Sequence, residues 1–122
     1  MMKTRSIVEE KSYAFALRII KLYRHLVIEK KEFVLSKQIL RCGTSIGANV
    51  KEAVQAESRN DFIHKLYISL KEASETEYWL NLLHDSGYIS KKSFESIAKE
   101  CIELIKIITA IIKTSKKNSE KK

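Results

Sequence analysis

Apolar residues recur along this chain at steps of three and four, and the alternation that a half-buried strand requires is absent. That spacing belongs to helices burying one side. Over about residues 5–30, Phe15, Ile19, Leu22 and Leu26 form one stripe, and Ala16, Ile20, Tyr23 and Val27 form a second beside it. Lys30-Lys31-Glu32-Phe33 interrupts the pattern as a short polar turn, with Phe33 expected to pack across the end of a bundle. A second helix is predicted over 35–56, with Ser36 as its candidate N-cap. Within it Ile39, Gly43, Ile46, Val50 and Ala53 fall at steps of four, three, four and three, the seam of a helix packed on other helices. Ser58-Arg59-Asn60-Asp61 has the hydroxyl-x-x-carboxylate form of a capping box. It opens a third helix over 60–86, seamed by Phe62, Leu66, Leu70, Ala73, Leu80 and Leu83 and stopped by Gly87, placed for a left-handed cap. Ser90 caps a fourth helix over 90–113, where Phe94, Ile97, Cys101, Leu104, Ile108 and Ile111 make the seam and Ala98, Ile102, Ile105 and Ile112 an adjoining stripe.

The fold class expected is therefore all-α, an antiparallel up-down four-helix bundle filling residues 1–113, with 114–122 a basic, disordered tail. Two glycines inside helix two each cost about 1 kcal/mol relative to alanine. Close packing is the expected compensation: Gly43, Gly47 and Ala48 offer a smooth surface on which another helix can sit near. The doubled stripes on helices one and four exceed what one bundle buries, and large apolar patches mark interfaces. A homo-oligomer is predicted.

A length of 122 residues fits one domain, and the absence of proline agrees with a helical chain. No apolar run approaches the roughly 18 to 20 residues that span a bilayer, so no membrane partner is expected. Met1-Met2-Lys3-Thr4-Arg5 leads into charged residues and not an apolar segment, which predicts no signal peptide and a cytoplasmic location. Cys42 and Cys101 stand far apart without metal-ligand spacing and read as small buried residues. Glutamates occur on helices two and three, but the Glu-x-x-His pairs of a di-metal bundle do not. No metal and no cofactor are expected. His25, His64 and His84 accompany no recognisable nucleophile signature, and no catalytic residue is assigned.

Polar residues near the seams are expected to be structural. Asn49 and Glu52 should hydrogen-bond near helix ends or across helices, with Arg41 or Ser45 as candidate mates, because an unpaired buried polar group costs about 1 to 3 kcal/mol. Glu77, between the seam positions Ala73 and Leu80, is the best candidate for a buried or interfacial carboxylate. Trp79 beside Tyr78 reads as core or subunit contact in preference to a stacking platform for a base. The formal net charge is +8 and uneven: residues 61–90 are acidic and both ends of the chain are basic.

The segments Leu35-Ser36-x-Gln38-Ile39-x-Arg41 and Ser45-Ile46-x-Ala48-Asn49-Val50-x-Glu52-Ala53, then Asp61-Phe62, Leu66, Glu72-Ala73, Glu75-Thr76-Glu77-x-Trp79-Leu80 and Gly87-Tyr88-Ile89, carry a resemblance. The chain resembles, from about Phe15 to Ile112, the bacterial four-helix-bundle family named after a protein encoded by intervening sequences within 23S ribosomal RNA genes. That family is similar also to the accessory protein of diversity-generating retroelements, a basic pentameric ring that binds nucleic acid and the reverse transcriptase. The resemblance implies a homo-oligomeric ring, typically a pentamer, without established enzymatic activity. Repeated around a ring, the positive charge becomes a field that phosphate backbones bind with little sequence preference. The expected function is non-enzymatic binding of RNA or DNA through Arg18, Lys21 and Arg24 of helix one and Lys113, Lys116 and Lys117 at the end of helix four. A structural adaptor for a protein partner is the alternative.

Overall fold

The computed structural model describes the backbone of residues 2–120 and the side chains of residues 7–118. Four helices, α1 (Met2–Ile28), α2 (Leu35–Val54), α3 (Arg59–Asp85) and α4 (Lys91–Glu120), follow one another, and no strand occurs among the described residues. Each helix packs on the next and α1 closes against α4, while the backbones of the diagonal pairs make no close approach among the described residues. The result is an up-down bundle with one dry interior. Phe15, Ile19 and Leu26 of α1, Ile39 and Ile46 of α2, Leu66, Leu80 and Leu83 of α3, and Leu104 and Ile108 of α4 are fully buried there. Each such side chain contributes about 1.5 to 3 kcal/mol on leaving water.

The helix ends have identifiable causes. Ser58 Oγ accepts the amide of Asp61 at 3.0 Å, and Ser90 Oγ accepts that of Ser93 at 3.1 Å, so both hydroxyls cap as expected. At the end of α3, Tyr88 N donates to Leu83 O at 2.8 Å and Gly87 N to His84 O at 3.0 Å. This bond pair, with Gly87 at φ +86°, is a Schellman cap.

Ser36 is not the cap of α2. Glu32 does that work from the preceding turn: its carboxylate accepts the amides of Val34 at 3.1 Å, Leu35 at 2.9 Å and Ser36 at 2.7 Å. Ser36 lies inside the helix, buried, with its hydroxyl donating to Glu32 O at 2.9 Å. Burial pushes the Glu32 carboxyl up, but the amides of Leu35, Ser36 and Val34 outweigh it and hold it below the ordinary carboxylate value. Lys31 adopts a left-handed φ of 55° to bring Glu32 back under α2. Phe33, expected across the bundle end, is instead 53% exposed, because the same turn directs Glu32 inward.

Helix four does not stop at Lys113. It continues to Glu120, so residues 114–120 of the expected disordered tail are helical; Lys121 and Lys122 lie outside the described residues. Ser115 is buried and Lys116 Nζ donates to the Tyr67 hydroxyl of α3 at 3.2 Å, which ties the polar extension to the bundle.

Contact between α1 and α2 depends on the glycines. A Cβ on Gly43 would stand 2.7 Å from Ile19 Cγ1, and one on Gly47 would stand 3.3 Å from the Ser12 carbonyl oxygen. Gly43 and Gly47 therefore fill the close-packing role. Ala48 is exposed and lines the open groove between α1 and α2 with Tyr13, Ala16 and Ile20, so it lies beside the close contact and not within it. Across α2 and α3, Ser69 Oγ donates to Ile46 O at 2.8 Å in the interior.

Candidate nucleic-acid interface

The bundle's antiparallel course decides which basic residues meet. Arg18, Lys21 and His25 stand three and four residues apart on α1, one face of the helix. Opposite them run the turn after α3 and the first turns of α4. Together with Lys30 these residues edge a cleft of about 700 Å³ whose floor is Leu22, Ile89 and Ile97 and whose far wall is Gly87, Tyr88, Ser90 and Ser93. No carboxylate lines it among the described residues. Arg18 is the half-buried member and makes an ion pair with Glu100 at 2.9 Å on the α1–α4 seam.

Arg24 is exposed but lies off this face, a step of six residues from Arg18 turning it away from the cleft. Lys113, Lys116 and Lys117 are exposed at the other end of the bundle. From Ser93 to Lys113 the rise of α4 amounts to about 30 Å, so the two groups of predicted cations form two separate clusters on one chain. Lys116 also stands 5.6 Å from the centroid of the Tyr67 ring, within cation–π range. His25 and Lys30 were not among the sequence candidates. The helical register of Arg18 was the signal for His25, whereas Lys30 joins only through the turn.

The polar residues expected to be structural mostly find bonds. Asn49 Nδ2 donates to Ser45 O at 2.9 Å and Ser45 Oγ to Arg41 O at 2.6 Å, all within α2. Glu52 takes neither Arg41 nor Ser45; it pairs with Lys65 of α3 at 2.8 Å. Arg41 bridges Glu72 at 3.2 Å and Glu75, and Glu75 also accepts Trp79 Nε1 at 3.2 Å. The half-buried Glu77 lines an open groove between α3 and α4 with Asn81, Phe94 and Ile102. Its carboxylate makes no hydrogen bond or ion pair among the described residues; Asn81 Nδ2 bonds the Glu77 backbone oxygen at 2.8 Å.

Both thiols are buried and free. Burial first, with the charge of Glu77 and the neighbouring Cys42 second, pushes the Cys101 thiol up to about 12. Its proton is donated to Ala73 O at 3.3 Å. A thiol so held is a packing element, because nucleophilic cysteines need an accessible thiolate. Among the described residues no group of three or more His, Cys, Asp or Glu could hold a metal ion, and no helix is long and apolar enough to cross a membrane.

The fold and its surface define a small basic four-helix bundle with Arg18, Lys21, His25 and Lys30 around one cleft. The chain belongs to the 23S rRNA-intervening sequence protein family, which it matches over residues 4–110. It is 57% identical to a protein of unknown function from the S23 ribosomal protein family of Bacteroides thetaiotaomicron, known from a crystal structure. The two superpose with a TM-score of 0.89 over 90% of this chain and 98% of that one. Among curated proteins none matches the sequence.

Proposed function

We propose that this protein is a non-enzymatic, homo-oligomeric binder of RNA or DNA whose phosphate-facing surface is centred on Arg18, Lys21, His25 and Lys30. The observation that supports this reading is the gathering of these side chains around one cleft with no carboxylate in its lining. Cations spread at random over a solvated surface would alternate with acids. Arg24 extends the surface, and the Lys113, Lys116 and Lys117 group supplies a second contact at the opposite end. Assembly into a ring would repeat both groups around an axis. The outward side of α1 supports self-association: Tyr13 is 69% exposed, Leu17 50% and Ile28 60%. Counterion release then drives binding with little sequence preference.

The same exposed apolar side of α1 supports a second reading, an adaptor that presents it to a protein partner. Joint charge reversal of Arg18, Lys21 and Arg24 separates the two. Nucleic-acid affinity is expected to fall by about tenfold or more at moderate salt; unchanged affinity would leave the adaptor reading in place.

A further inference from the structure

The cleft has features that phosphate binding alone does not need. Its floor is apolar, and two rings, Tyr88 and the His25 imidazole, are among its lining residues together with Lys21 and Lys30. A duplex presents phosphates and keeps its bases stacked inside, so an apolar floor would stay empty beneath it. An unpaired nucleotide offers both a phosphate for the cationic edge and a base for the floor, the combination by which single strands are held. The volume, about 700 Å³, accommodates one such unit.

We propose that the cleft between the C-terminal half of α1 and the start of α4 takes an unpaired nucleotide of an RNA or DNA strand, base against Tyr88 and phosphate against Lys21 and Lys30. The proposal rests on the nucleic-acid reading above and adds a preference to it. Charge attraction sets affinity for any strand; the cleft discriminates unpaired from paired.

Three substitutions test it in the full chain. Ser93→Glu puts a carboxylate into the wall while completing a Ser-x-x-Glu capping box with Ser90, so α4 is kept. Tyr88→Leu retains apolar bulk and removes the ring; Tyr88→Phe keeps the ring. Fluorescence anisotropy is measured with a labelled oligouridine strand and with a labelled RNA duplex. Affinity for the single strand is expected to fall about tenfold in Tyr88→Leu and to be unchanged in Tyr88→Phe, with duplex affinity within about twofold in both, while Ser93→Glu weakens both probes through its charge and the single strand by several-fold more. Equal losses for strand and duplex, or no loss for either, would overturn the cleft assignment and leave the nucleic-acid reading standing on wild-type binding. If the wild-type protein binds neither probe at low salt, both fall together.

Discussion

Helix α1 meets its two neighbours in different ways. Against α2 it is interlocked: Ile19 occupies the space that Gly43 leaves, and the Ser12 backbone lies over Gly47. Against α4 its polar ties among the described residues are two ion pairs, Lys11–Glu103 at 3.2 Å and Arg18–Glu100 at 2.9 Å, and the seam opens at one end into the cleft. The first contact resists change through shape, since a β-branched Ile19 has little rotameric freedom. The second spends little stability and keeps its side chains available. Binding surfaces are drawn from such loosely held places, where groups remain hydrated until a ligand arrives.

The contrast is broken most severely by emptying the interlocked side. Ile19→Ala is expected to cost about 2 to 5 kcal/mol in urea unfolding, through lost burial and the hollow left facing Gly43. Gly43→Ala alone should cost about 1 to 3 kcal/mol, because the new methyl overlaps Ile19 by more than the helix-propensity gain offsets. Placed in the Ile19→Ala background, the same methyl enters the hollow and the penalty should shrink or reverse; a strictly additive double variant would show that the two residues do not interlock.

The turn that joins α1 to α2 gives an intermediate effect with a pH signature. Glu32→Gln should lower stability by about 1 kcal/mol at neutral pH, as loss of a helix cap does. The folded-state carboxyl titrates below its ordinary, unfolded value. Its contribution is therefore complete above that value and is lost as pH falls through the lower folded one. Unfolding curves for wild type and Glu32→Gln should accordingly converge in acid; a gap that persists to the lowest pH would assign the cap to shape and not charge. The smallest effects belong to the α1–α4 side. Lys11→Ala and Glu103→Ala should each change stability by less than about 1 kcal/mol, with a double-mutant coupling energy that shrinks further in salt.

Helix periodicity made the bundle legible before any coordinates, because Phe15, Ile19, Leu26, Leu66, Leu104 and Ile108 each sit where a three-four seam must turn inward. Ser58, Gly87 and Ser90 were legible for a similar reason: their local chemistry suits one position at a helix end. Glu32 was not, since its capping role depends on a left-handed Lys31 that no propensity favours. The end of α4 was hidden because a polar helix tethered by Ser115 and Lys116 leaves no apolar stripe to read. In the candidate site, Arg18 and Lys21 were readable, but grouping them with Arg24 neglected the helical turn that instead aligns His25. The separation of Lys113, Lys116 and Lys117 from the α1 group follows from antiparallel topology, which puts the end of α4 beside the beginning of α1.

The most direct measurement is the affinity of the wild-type protein for labelled structured RNA and duplex DNA, followed by fluorescence anisotropy from low to physiological salt. Binding whose logarithm falls linearly with the logarithm of salt, yet survives at physiological strength, is the result expected of a multi-phosphate surface. Failure to bind at low salt, where attraction is strongest, would contradict a nucleic-acid role and direct attention to the apolar side of α1.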